Sequence, residues 1–102
     1  MSKSEKRSLL SQLVRVMMHI IKWFSQPHKR SGSWLNSIYH GRTEIERTLK
    51  RRPSLRPIIK NEWDDSFYKA KREAENEMNK SSKVNSLTEK QVFNDEYRLD
   101  EE

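Results

Sequence analysis

Cysteine is absent from this sequence. That excludes a disulfide framework and any thiolate zinc or iron–sulfur site, and it fits a protein expected in a reducing cytoplasm. Glycine occurs only twice and proline three times, which leaves few places for tight turns. With abundant Lys, Glu, Arg, Ser and Asn and few β-branched runs, this composition predicts an all-α fold. Hydrophobic residues make up 32% of the chain and charged residues 35%, so the apolar side chains suffice for one core, and 102 residues suit one domain. No apolar run reaches the roughly 20 residues that a bilayer span requires. Arg15, His19 and Lys22 interrupt the longest run, and each charged side chain at mid-bilayer would cost about 2.5 to 3.5 kcal/mol. No small-residue cleavage site follows it, so neither a transmembrane span nor a secretory signal is predicted.

That longest run, Leu9 to Phe24, is the stretch around which the chain is organised. Its polar residues Ser8, Gln12, Arg15, His19 and Lys22 recur at steps of three or four, and Gln26 continues the series. This is the period of one helix stripe. Apart from Ser11 the remaining positions are apolar, so the helix should be buried over most of its circumference. Helix one is predicted over about 8–24, capped by Ser4 or Ser8, with Met1 to Arg7 frayed. Pro27 ends it by disfavouring helix at Gln26.

Helix two is predicted over about 33–52, with Ser31 or Ser33 as its cap. Trp34, Ile38, Ile45 and Leu49 form its apolar stripe, with Leu35 and Tyr39 alongside. Gly41 in mid-helix marks a close helix–helix approach. Arg42 falls on the same stripe and must snorkel at its edge or pair with an acceptor. After Pro53 and Pro57, helix three is predicted over about 55–79, carried by Leu55, Ile59, Trp63, Phe67, Ala70, Ala74 and Met78. A polar linker leads to a short helical segment, about 87–93, opened by a Ser86–Glu89 capping box and docked through Leu87, Val92 and Phe93. Residues 1–93 form the domain, and 94–102 are read as an acidic flexible tail.

Charge is unevenly distributed. Residues 1–60 hold 14 Lys and Arg against three acids, whereas residues 61–102 hold seven against 12. The basic part suggests an anionic partner, and Arg47, Lys50, Arg51, Arg52, Arg56 and Lys60 form a candidate polyanion surface. No DNA- or RNA-binding signature accompanies them, so any nucleic-acid binding would be non-specific. His19, His28 and His40 show no metal-ligand spacing, and neither a metal nor a cofactor is predicted. A candidate polar cluster comprises His19, Lys22, Trp23, Gln26, Arg30, Ser31, Trp34 and Arg42. Trp23, Gln26, Arg30, Ser31 and Trp34 suit either a phosphate at a helix N-terminus or a structural corner. His19 could act as a general base beside Lys22 and Arg30, which would suit a small ribonuclease.

The stretch His19 to Pro57 carries His19, Lys22, Trp23, Gln26, Pro27, Arg30, Ser31, Ser33, Trp34, Ser37, Ile38, Arg42, Ile45, Pro53, Ser54, Leu55 and Arg56. At these spacings it closely resembles the family called domain of unknown function twenty-nine, over roughly Ser4 to Phe93. The resemblance implies a small all-helical protein of a largely cyanobacterial family, and it carries no established activity. Members usually carry a further segment in front, including an acidic Asn-Leu-x-Glu-Glu-Ile helix, which this sequence lacks. Helix one is therefore expected to keep an uncovered apolar flank. The leading reading is a non-enzymatic helical interaction module, engaging a protein partner or a second copy through the apolar face of helix one. A nucleic-acid-binding accessory protein and a ribonuclease using His19 are the alternatives.

Overall fold

The computed structural model describes residues 3–99. Four helices account for most of them: α1 (Lys3–Ser25), α2 (Gly32–Arg51), α3 (Arg56–Asn61) and α4 (Trp63–Met78). The molecule is all-α, and among the described residues there is no strand. α1 is the central rod, with α2 packed on one side and α4 on the other. Leu9, Leu13, Val16, Met17, Ile20 and Ile21 of α1 are almost completely buried. Ile38 and Ile45 meet them from α2, and Ala70 and Ala74 from α4.

The α1–α2 approach is set by Gly41. A Cβ built there would lie 2.4 Å from Cγ2 of Val16, so only glycine lets the helices close to this separation. The two helices run antiparallel. At one end of the molecule Arg52 Nε, just after α2, lies 3.3 Å from Glu5 Oε2 in the first turn of α1. At the other end Lys22 Nζ of α1 meets Glu77 Oε1 of α4 at 2.6 Å.

Several boundaries differ from those predicted. α1 already starts at Lys3, so Lys3 to Arg7 are helical rather than frayed. Ser4 and Ser8 lie inside the helix and do not cap it, while Met1 and Ser2 fall outside the described residues. Ser31 does cap α2, its hydroxyl accepting from the Trp34 N–H at 3.4 Å. The single helix predicted over about 55–79 is divided at Glu62, which adopts φ −104° and ψ 13° between α3 and α4. No Gly or Pro marks this bend, because the apolar repeat runs straight through it: Ile59 is buried before it and Ala70 after it. Asn79 ends α4 in the left-handed conformation at φ 56°, a position Asn tolerates better than most residues.

Beyond Asn79 the chain returns as a strap across the bundle. The helical segment predicted over about 87–93 is present as one wide helical turn, Lys90–Asn94. Its capping box is formed two residues later than expected. The Thr88 N–H donates to Gln91 Oε1 at 2.8 Å, and the Gln91 N–H donates to Thr88 Oγ1 at 3.1 Å. Leu87, Val92 and Tyr97 are the strap's buried apolar side chains, and Ser82 is buried with them. Within the stretch read as a flexible tail, Tyr97 is docked by its side chain, and 100–102 lie outside the described residues.

Candidate functional site

The polar cluster expected around helix one separates into two structural junctions. The first is the corner between α1 and α2. Trp23 is 3% exposed. Arg30 donates from Nε to the Trp23 carbonyl at 2.9 Å, and its guanidinium stacks 4.6 Å from the centre of the indole. The carbonyls of a helix's last turn have no intrahelical donor, so a cation folded back onto them closes the helix end. Lys22 approaches the Trp34 ring, 4.9 Å from its centroid, and its ammonium is spent on Glu77. Gln26 is buried at the same corner, its N–H donating to the Lys22 carbonyl at 2.9 Å.

The second junction holds the strap. Arg42 donates from Nε to the Val92 carbonyl at 2.7 Å and from Nη2 to the Gln91 carbonyl at 3.2 Å. Its guanidinium also faces the rings of Tyr39 and Tyr97 at 5.3 and 5.5 Å. The Tyr39 hydroxyl donates to the Tyr97 carbonyl and accepts from the Tyr97 N–H, both at 2.7 Å. Tyr97 meets Trp23 and Phe24 edge to face, at centroid distances of 5.9 and 6.0 Å. Burial, followed by the nearby Asp95 carboxylate, pushes the Tyr97 phenol up to about 12. Of the two pairings open to Arg42, the structure takes an acceptor rather than open water.

His19 belongs to neither junction. Its Nδ1 donates to the Arg15 carbonyl one turn back at 2.8 Å. Burial is the main cause lowering its pKa, and the positive charges of Lys22 and Arg15 act in the same direction. The ring lines the groove between α1 and α4, whereas Lys22 is turned to Glu77 and Arg30 to Trp23. The trio suggested for phosphodiester chemistry therefore does not converge on one open surface. Among the described residues, no three His, Asp or Glu side chains gather as a metal site.

Two surfaces remain. One is the basic end of the bundle. Arg47, Lys50, Arg51, Arg52, Arg56 and Lys60 are all exposed, as a polyanion surface requires. Arg47 lies a turn back and pairs with Glu44 at 3.0 Å. The antiparallel packing adds Lys3, Lys6 and Arg7 from the start of α1, a stretch expected to be frayed. Sequence reasoning misses their contribution because it depends on which helix ends meet, a tertiary fact without a local signature.

The other surface is the α1/α4 groove. Helix one does not keep the uncovered flank expected of it. Met17 and Ile21 are 0% exposed and Met18 7%, covered by α2, α4 and the strap. Between Leu9 and Trp23, only Leu10 and Val14 among its apolar residues are half-buried, and both line this groove. The α1 bank carries Lys3, Lys6, Arg7 and Arg15, and the α4 bank carries Glu62, Asp65 and Glu73 together with Lys69.

Comparison with known proteins places the architecture in a family. The family model described as Domain of unknown function DUF29 matches residues 1–102. No curated protein and no solved structure matches the chain. Among the described residues, no helix is long and apolar enough to cross a membrane.

Proposed function

The chain belongs to the DUF29 family, and from that premise we propose a non-enzymatic helical interaction module that pairs with a second copy of itself through the α1/α4 groove. One observation carries the reading. Two half-buried apolar side chains of α1, Leu10 and Val14, lie between a basic bank and an acidic bank. Such a face is self-complementary. A two-fold axis running along the groove would lay α1 of each copy on α4 of the other. Lys3, Lys6, Arg7 and Arg15 would then face Glu62, Asp65 and Glu73 twice over, with the apolar strips meeting at the centre. Closed two-fold pairs of this isologous kind are the commonest soluble assemblies. The opposite charges would fix the register, and the apolar centre would supply most of the affinity.

Sedimentation velocity across a concentration series tests this. The wild type should shift from monomer to dimer, and Val14→Glu should remain monomeric with unchanged helix content. Charge reversal gives a sharper check. Arg15→Glu and Glu73→Lys should each weaken self-association, because both then set like charges opposite one another. An equimolar mixture of the two variants should form a heterodimer, in which both banks are complementary again. A wild type that stays monomeric at every concentration would overturn the reading.

A further inference from the structure

We propose that the basic end of the bundle binds the phosphate backbone of a nucleic acid, an activity distinct from pairing through the groove although Lys3, Lys6 and Arg7 border both surfaces. Segments 3–7 and 50–60 together hold eight cations, Lys3, Lys6, Arg7, Lys50, Arg51, Arg52, Arg56 and Lys60, against one acid, Glu5. All eight are exposed. They come from the start of α1, the end of α2 and α3, and the Arg52–Glu5 contact at 3.3 Å shows that the first two segments meet. Only Arg52 among the eight is ion-paired within the described residues. Glu46 and Glu89 share a surface pocket with Arg56 and Lys60, and Glu62, Asp65 and Glu73 share one with Lys3, Lys6 and Arg7, so the positive charge is partly offset and the cations remain in excess.

The chemistry of this end favours nucleic acid over a lipid surface. Helices that lie on membranes insert Trp, Phe or Leu beside their cations. Among the described residues, the exposed large hydrophobics Phe24, Tyr39, Tyr68 and Leu99 all lie outside the two basic segments. What remains is an array of ammonium and guanidinium groups on helix ends, suited to spaced phosphates. Binding should be independent of sequence and dominated by counterion release.

The test uses fluorescence anisotropy with a short random-sequence duplex, followed across a salt series. Wild-type protein should bind, with affinity falling steeply as salt rises. Arg51→Glu with Arg56→Glu should weaken binding by about tenfold or more and reduce the log–log salt slope by about 0.9 for each phosphate no longer neutralised. Lys80→Glu with Lys83→Glu changes net charge equally, but its two residues follow α4 at the opposite end of the molecule, and it should bind nearly as the wild type does. Neither pair of residues lines the α1/α4 groove, so sedimentation of both variants should match the wild type, and failure of the groove reading would be seen separately. Equal weakening in the two double variants would reduce the effect to net charge and overturn the proposal. Absence of duplex binding at low salt, or stronger retention on phosphatidylserine-containing vesicles than on the duplex, would also overturn it.

Discussion

Arg42 in α2 holds Val92 in the strap, its Nε donating to the Val92 carbonyl at 2.7 Å. Val92 lies in the wide turn Lys90–Asn94, whose last carbonyls lack intrahelical donors, and Arg42 also serves Gln91 at 3.2 Å. One planar guanidinium thus satisfies two acceptors while facing Tyr39 and Tyr97. Hydrogen bonds from charged donors contribute about 1.5 to 3 kcal/mol, so Arg42→Ala should destabilise the protein by roughly that amount. Amide exchange should accelerate mainly in residues 85–99. Arg42→Lys should recover only part of the stability, because an ammonium lacks the fork that spans both carbonyls. Unchanged protection of the strap in Arg42→Ala would refute this role.

Gly41 and Val16 set the spacing of the two longest helices. A methyl group at Gly41 would stand 2.4 Å from Val16 Cγ2, and Val16 is 0% exposed. Val is stiff at χ1 and has little room to turn away. Alanine gains about 1 kcal/mol in helix propensity over glycine, whereas overpacking costs about 1 to 3 kcal/mol. Gly41→Ala should therefore be net destabilising. Val16→Ala removes the opposing methyl groups, so the double variant should be more stable than the sum of the two single effects implies. Strict additivity in a urea-unfolding cycle would show that this clash is not what glycine relieves.

Much of this architecture could be read from the chain. The apolar girth of α1, the Ser31 cap, Gly41 as a point of close approach and Arg42 as a residue needing an acceptor all follow from spacing and side-chain chemistry. The bend at Glu62 could not be read, because no breaker stands there and the apolar repeat continues across it. The Thr88–Gln91 box was legible in principle, but Ser86–Glu89 offers the same pattern two residues earlier. Burial of the strap decides between them, with Leu87 and Val92 buried on either side of the box. The residues of the polar cluster stand out along the chain, but spacing alone cannot show that Lys22 turns to Glu77 and Arg42 to Val92.

Lys22 and Glu77 form an unequal pair, with side chains 11% and 52% exposed. Most of the desolvation therefore falls on the lysine, whose ammonium also lies 4.9 Å from the centroid of the Trp34 ring. Removing its partner strands a nearly buried cation, whereas replacing the lysine itself by an apolar side chain of similar length removes the burden. Glu77→Ala should consequently cost more stability than Lys22→Met. Thermal unfolding of the two variants decides the order, and the reverse ranking would mean that the pair contributes net attraction beyond its desolvation.

His19 gives the fold a dependence on mild acid. Burial lowers its pKa, so the folded protein favours the neutral ring, already committed through Nδ1 to the Arg15 carbonyl. At pH values above the ordinary histidine value both folded and unfolded chains hold it neutral, and its full contribution is present. As pH falls, the unfolded chain takes up the proton first, so stability drops and continues to drop until pH passes below the folded-state value. Urea midpoints measured from about pH 7 down to about pH 5 should therefore decline more steeply for the wild type than for His19→Gln, which has no proton to gain. The exposed His28 and His40 are present in both proteins, so the difference between the two profiles isolates His19. Parallel profiles would show that the ring is no harder to protonate in the fold than in the open chain.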